Sequence, residues 1–203
     1  MTAMRRLLFV LLPGLLAGSA CARASGSEAR DSATYGEIVR RLQAGDTLVD
    51  YTALRFLSSK QPNRSDRHPD PDAELRAAER APDHEQARRL VDALLVDYYG
   101  RIQVHVDAAR VFASRGDTGR ARFHEAVVRG MIRSMETGAR ERRDEAMPVI
   151  SIAEEYAFLR ARGLERKDQA LVKCGAHRCD ELTALDPKTN RTKRYTFLLT
   201  WYR

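Results

Sequence analysis

The apolar positions of this chain change their period towards the C-terminus. From Tyr35 to about Leu164 they recur every three or four residues; near the end they alternate. Ile38, Val39 and Leu42 share one helical face, with Gly45 placed as a stop. Asp50 is positioned to cap a second helix carrying Tyr51, Leu54 and Leu57 on one face. Residues 58–72, "SSKQPNRSDRHPDPD", hold three prolines and almost nothing apolar, which predicts a surface loop. Met131, Ile132 and Met135 extend a later helix that Gly138 is expected to end. Ile150, Ala153, Ala157 and Leu164 predict another, stopped by Gly163. Tyr195, Phe197, Leu199 and Trp201 then alternate, the mark of a strand. Three antiparallel strands are expected, at about 169–173, 180–185 and 194–202.

An internal repeat refines the helical part. "ERAPDHEQARRLVDALL" from residue 79 and "ASRGDTGRARFHEAVVR" from residue 113 align at an offset of 34 residues. Pro82-Asp83 falls over Gly116-Asp117, and Ala87-Arg88 over Ala121-Arg122. That offset is the period of tetratricopeptide helix hairpins. Ala109, Phe112, Gly116 and Ala121 resemble its small, aromatic, turn-glycine and small positions, whereas His105 and Ala108 stand where Trp and Leu belong. The expected fold is α+β, mostly α: tetratricopeptide-like hairpins followed by a small antiparallel sheet. Residues 35–203 form one domain, with the sheet from about 168.

The N-terminus has its own signature. Arg5 and Arg6 precede the apolar run "LLFVLLPGLLAG", and small residues lead to Cys21. This is the layout of an export signal, too short to span a membrane as a mature helix. "LLAGSAC" resembles the lipobox of bacterial lipoproteins, with Gly18 in place of the usual leucine, so Cys21 is the expected lipidation site. Cleavage at an A-x-A spacing made by Ala20 and Ala22 is the alternative. Residues 22–34, small and polar, read as a flexible tether.

Charge adds little. The chain carries +7, or +5 once Arg5 and Arg6 leave with residues 1–20. Its arginines are mixed with Asp and Glu along helical segments, a solvated face rather than a one-sided basic stripe, so nucleic acid is not an expected partner. A lipid anchor at Cys21 would make the membrane one.

Four blocks carry a family resemblance: "AGDTLVDYTALR" from residue 44, "ASRGDTGRARFHEAVVRGMIRSM" from 113, "VISIAEEYAFLRARGL" from 149 and "GAHRCDELTALDPKTN" from 175. In this order they resemble a bacterial envelope family catalogued as domain of unknown function family 4919. The resemblance implies an exported or lipid-anchored protein with helical hairpins followed by strands, and no assigned activity. The cysteines around the last block depart from the family pattern.

Those cysteines, in "KCGAHRCD", carry the most chemistry. A zinc site would need thiolates, which an oxidising compartment does not keep, and redox motifs use a tighter C-x-x-C. A disulfide between Cys174 and Cys179 is expected, as a directly opposed pair across an Ala176-His177 turn; a turn at Gly175-Ala176 would shift the register and break that pairing. His177 with Asp180 is a candidate polar, acid–base site, and His105 with His124 a candidate pair on facing helices without a third metal ligand. Glu154 and Glu155 project about 100° apart on a helix and do not form a paired-carboxylate site by themselves. Phosphate-loop, nucleophile-elbow and H-E-x-x-H motifs are absent, and no cofactor is expected. The leading expectation is a non-catalytic envelope module that binds a protein or peptide, with Tyr98, Tyr99, Arg101, Arg120 and Arg122 on its surface. The alternative is a small hydrolase or metal-dependent enzyme using His177/Asp180 or His105/His124.

Overall fold

The computed structural model describes residues 19–61, 71–142 and 146–200. The expected export signal, most of the 58–72 loop and Trp201 lie outside them, as does the side chain of Cys21. The chain is α+β and mostly α. Helices α1 (Ser19–Gln43), α2 (Tyr51–Ser58), α3 (Pro71–Arg80), α4 (His84–Tyr98), α5 (Ile102–Ser114) and α6 (Thr118–Arg142) come first. Strand β1 (Met147–Val149), helix α7 (Ile152–Ala161) and strands β2 (Glu165–Cys174), β3 (His177–Asp186) and β4 (Arg191–Leu199) follow. Among the described residues no helix is long and apolar enough to cross a membrane.

The 34-residue correspondence is physical at the helix starts. Asp83 accepts the Gln86 amide at 2.7 Å, and Asp117, thirty-four residues on, accepts the Arg120 amide at 3.1 Å. Each carboxylate satisfies one of the amides a helix start leaves open. The small partners Ala87 and Ala121 are both buried. Helix α3 packs on α4 and α5 on α6, and α5 touches both α3 and α4. Leu54, Leu94, Phe112, Met131 and Met135 fill the seam.

The sheet has the order β1-β4-β3-β2. β2–β3 and β3–β4 pair antiparallel, as the alternation predicts, while β1 pairs parallel to β4 through Met147 and Phe197. The extra strand makes the sheet mixed and four-stranded. Its three residues are all buried, so they show no alternation to distinguish strand from buried helix. Tyr195 and Phe197 point at α7, where Phe158 meets them edge-on at 5.3 and 5.5 Å between ring centroids.

Three expectations are corrected. Residues 22–34 are not a tether: α1 runs through them, and Lys60 pins the helix by an ion pair to Asp31 at 2.7 Å. Missing apolar period reports missing burial, not missing helix, and residues 27–30 and 32–34 are exposed. Gly138 does not stop α6, which continues to Arg142. It is small because Pro148 packs on it: a Cβ there would sit 2.6 Å from Pro148 Cγ. The β2–β3 turn lies at Gly175-Ala176, pairing Cys174 with His177 and Val172 with Cys179. Gly175 has φ 60°, the positive value a glycine supplies at the first position of a two-residue hairpin turn. Cys174 and Cys179 are still joined, as a diagonal pair 5.9 Å apart at Cα. They leave the same face of the ribbon, and strand twist draws one diagonal close enough to bridge.

Candidate functional site

Helix α7 opens with two adjacent glutamates that go separate ways. Ser151 caps the helix by accepting the Glu154 amide at 3.3 Å. The Glu154 side chain then turns into the core, where Arg55 of α2 donates to both its oxygens at 2.9 and 2.7 Å. Arg55 also donates to Ser134 Oγ of α6 and to the Pro148 carbonyl of β1, and the Ile150 amide donates to Glu154. Both side chains are buried, at 0% and 1% exposure. A buried ion pair is tolerated when its remaining hydrogen-bonding groups are met, and here α6, β1 and the Ile150 amide between β1 and α7 meet them.

Glu155, one position on, faces the sheet. It is buried, and neither of its oxygens meets a hydrogen donor among the described residues. Its neighbour is the carboxyl of Asp180 on β3. Two carboxylates both accept, so they bond only when one holds a proton. Burial, and after it the Asp180 and Glu154 charges, pushes Glu155 up to about 8, so the proton stays there at neutral pH. The 100° divergence of neighbouring helical positions thus separates an ion pair from a shared-proton pair.

The expected His177/Asp180 site is not assembled. Three positions apart on one strand, the two side chains leave opposite faces. His177 is exposed at the hairpin tip, while Asp180 turns towards Glu155.

His105 of α5 and His124 of α6 do come together. Their Nδ1 atoms lie 2.9 Å apart, and His105 Nε2 lies 2.7 Å from the Tyr99 carbonyl oxygen. Both rings are buried, and His124 stacks on Phe112 at 5.5 Å. Burial holds His105 down to about 4; burial, then the His105 and Arg120 charges, holds His124 down to about 3. Both are therefore neutral at physiological pH, and the proton positions follow. A carbonyl only accepts, so His105 carries its proton on Nε2. Its Nδ1 is then bare and accepts from His124 Nδ1–H. His124 Nε2 is left as an acceptor.

Above this pair lies a cleft of about 360 Å³ between the end of α1, α4 and α6. His124 forms part of its wall, with Leu95, Val96, Tyr99, Phe123 and Arg120. Arg120 lies over the Phe112 ring at 5.1 Å and pairs with Asp92 at 3.2 Å.

No family model, curated protein or solved structure matches this chain.

The five expected surface residues do not form one groove. Tyr99 and Arg120 line the His124 cleft. Tyr98 and Arg101 line a second cavity of about 410 Å³ that backs onto Glu154, with the Arg101 guanidinium over the Tyr98 ring at 4.2 Å. Arg122 is exposed. Tyr98 and Tyr99 are buried in the body of the fold, each forming part of a cavity wall rather than an exposed surface. Among the described residues no group of three or more His, Cys, Asp and Glu side chains could hold a metal ion. Sequence reading missed the Arg55–Glu154 and Glu155–Asp180 contacts. The Ser151-x-x-Glu154 spacing at a helix start was the one local signal near them.

Proposed function

We propose that this protein is a non-catalytic binding module of the bacterial cell envelope, exported through its N-terminal signal and anchored by a lipid on Cys21. In this reading it takes a protein or peptide segment into the cleft over His124. One observation carries it: an indented surface combining apolar side chains, Tyr99 and Phe123 with a hydrogen-bonding His124 and a paired arginine. Val96 on its rim is 70% exposed, a large apolar side chain left in water beside a cleft. The electrostatics favour binding over acid–base chemistry here. A general base works best with a pKa near the working pH, and His124 lies about 3.

The test is site-specific photocrosslinking in cells, with a photoreactive phenylalanine analogue at Val96 and, as a control, at the exposed Leu171 on β2. A discrete adduct from position 96 alone, weakened by Arg120→Glu, supports the reading. Equal adducts from both positions, or none from position 96, sink it. Globomycin sensitivity of processing tests the Cys21 anchor.

A further inference from the structure

The proton positions in the histidine pair restrict what the cleft accepts. Tyr99 C=O, His105 and His124 form a chain in which each donor has one acceptor. It leaves His124 Nε2 with a lone pair and no proton. On an imidazole ring the two nitrogens point well away from each other, so with Nδ1 turned to His105, Nε2 faces the other way. His124 lines the cleft, and its Nε2 is not among the sealed, unsatisfied atoms of the described residues. The charges around it are already spent. Asp92 takes Arg88 at 3.0 Å and Arg120 at 3.2 Å, and Arg120 also reaches Asp117 at 3.8 Å. Leu42, Leu95, Val96 and Phe123 supply the apolar part of the wall, and Gln43, Gly45 and Tyr99 complete it.

We propose that this cleft binds an uncharged group combining an apolar ring with one O–H or N–H donor, which His124 Nε2 accepts. A phenol or indole, as on a tyrosine or tryptophan side chain, has this form. An anion would meet a lone pair. A charged amine would shed its water for a carboxylate that two arginines already hold. At about 360 Å³ the volume admits a single ring system, near the lower end of ligand pockets. This inference rests on the cleft being a binding site, and it names what that site recognises.

The test uses the full chain with ¹⁵N-labelled histidine. Long-range ¹H–¹⁵N spectra are expected to show His124 protonated at Nδ1 and bare at Nε2, and His105 the reverse. Titration with phenol is expected to move the His124 Nε2 signal and saturate. Anisole, the same ring without the donor, is expected to bind roughly five- to tenfold more weakly, the value of one hydrogen bond. Indole against N-methylindole should repeat the difference. Val96→Arg, at an exposed position, should abolish phenol binding. Equal affinity for phenol and anisole, a proton on His124 Nε2, or phenol binding unaffected by Val96→Arg would overturn the proposal. Phenol binding with no crosslink from position 96 would sink the peptide-module reading alone. A crosslink with no phenol preference would sink only the ring-and-donor reading.

Discussion

Arg55 grips both carboxylate oxygens of Glu154 across ninety-nine residues of chain, in a site that excludes water from both side chains. The contact joins α2 to the start of α7, with α6 and β1 bonded to the same guanidinium. Removing one partner leaves the other charge buried and alone. Glu154→Ala and Arg55→Met are each expected to cost about 3–5 kcal/mol, and the double variant less than their sum. Urea unfolding of the three variants checks this; additive losses would refute the coupling.

Glu155 and Asp180 make stability depend on pH in the opposite sense from an ordinary carboxylate. The Glu155 pKa is raised from 4.5 to about 8 in the folded chain. The folded state therefore holds a proton that the unfolded chain releases near 4.5. Stability from this group is fully present below about pH 4.5 and drains away as pH climbs through about 8. Glu155→Gln keeps the shape without the titration. It should flatten the fall in urea midpoint between pH 6 and 9; an unchanged slope would rule out the shared proton.

The histidine pair acts at the acid end. Both folded pKa values are depressed, to about 4 and about 3, from 6.5. The unfolded chain takes up protons first, so stability is complete above about pH 6.5 and is lost as pH falls towards 3. Imidazole NMR signals of His105 and His124 should stay constant from pH 7.5 to about 5 in the folded protein. Titration of either near 6.5 would contradict the buried neutral pair.

The Cys174–Cys179 bond closes a six-residue loop at a ribbon tip, where Cys179 packs with Ala146 and Leu198 outside the main core cluster. Loop entropy assigns such a bond about 2 kcal/mol at most. Reduction should speed amide exchange near Gly175 while the thermal midpoint moves only a few degrees. Global unfolding on reduction would show that the ribbon tip carries more of the fold.

Gly138→Ala tests the contact between α6 and β1. Alanine is the better helix former by about 1 kcal/mol. The added methyl, however, would stand 2.6 Å from the ring of Pro148, which is tied into a strand. A net loss of about 1–3 kcal/mol is expected in thermal unfolding. A gain would show that the two elements separate easily.

Spacing along the chain set the helices with one apolar stripe, their glycine stops at Gly45, Gly116 and Gly163, the aspartate caps thirty-four residues apart, and the alternation that makes β4 a strand. Each is a local or periodic signal, carried by neighbours in the chain. Tertiary structure alone decided what the polar side chains meet. Glu154 and Glu155 are the same residue type one step apart, yet one neutralises an arginine on α2 and the other keeps a proton against β3. His105 and His124 became a proton-ordered pair only when α5 and α6 docked. Helix and strand formation follow from spacing along the chain. Partnership and protonation follow from burial and proximity, which exist only once distant segments have packed.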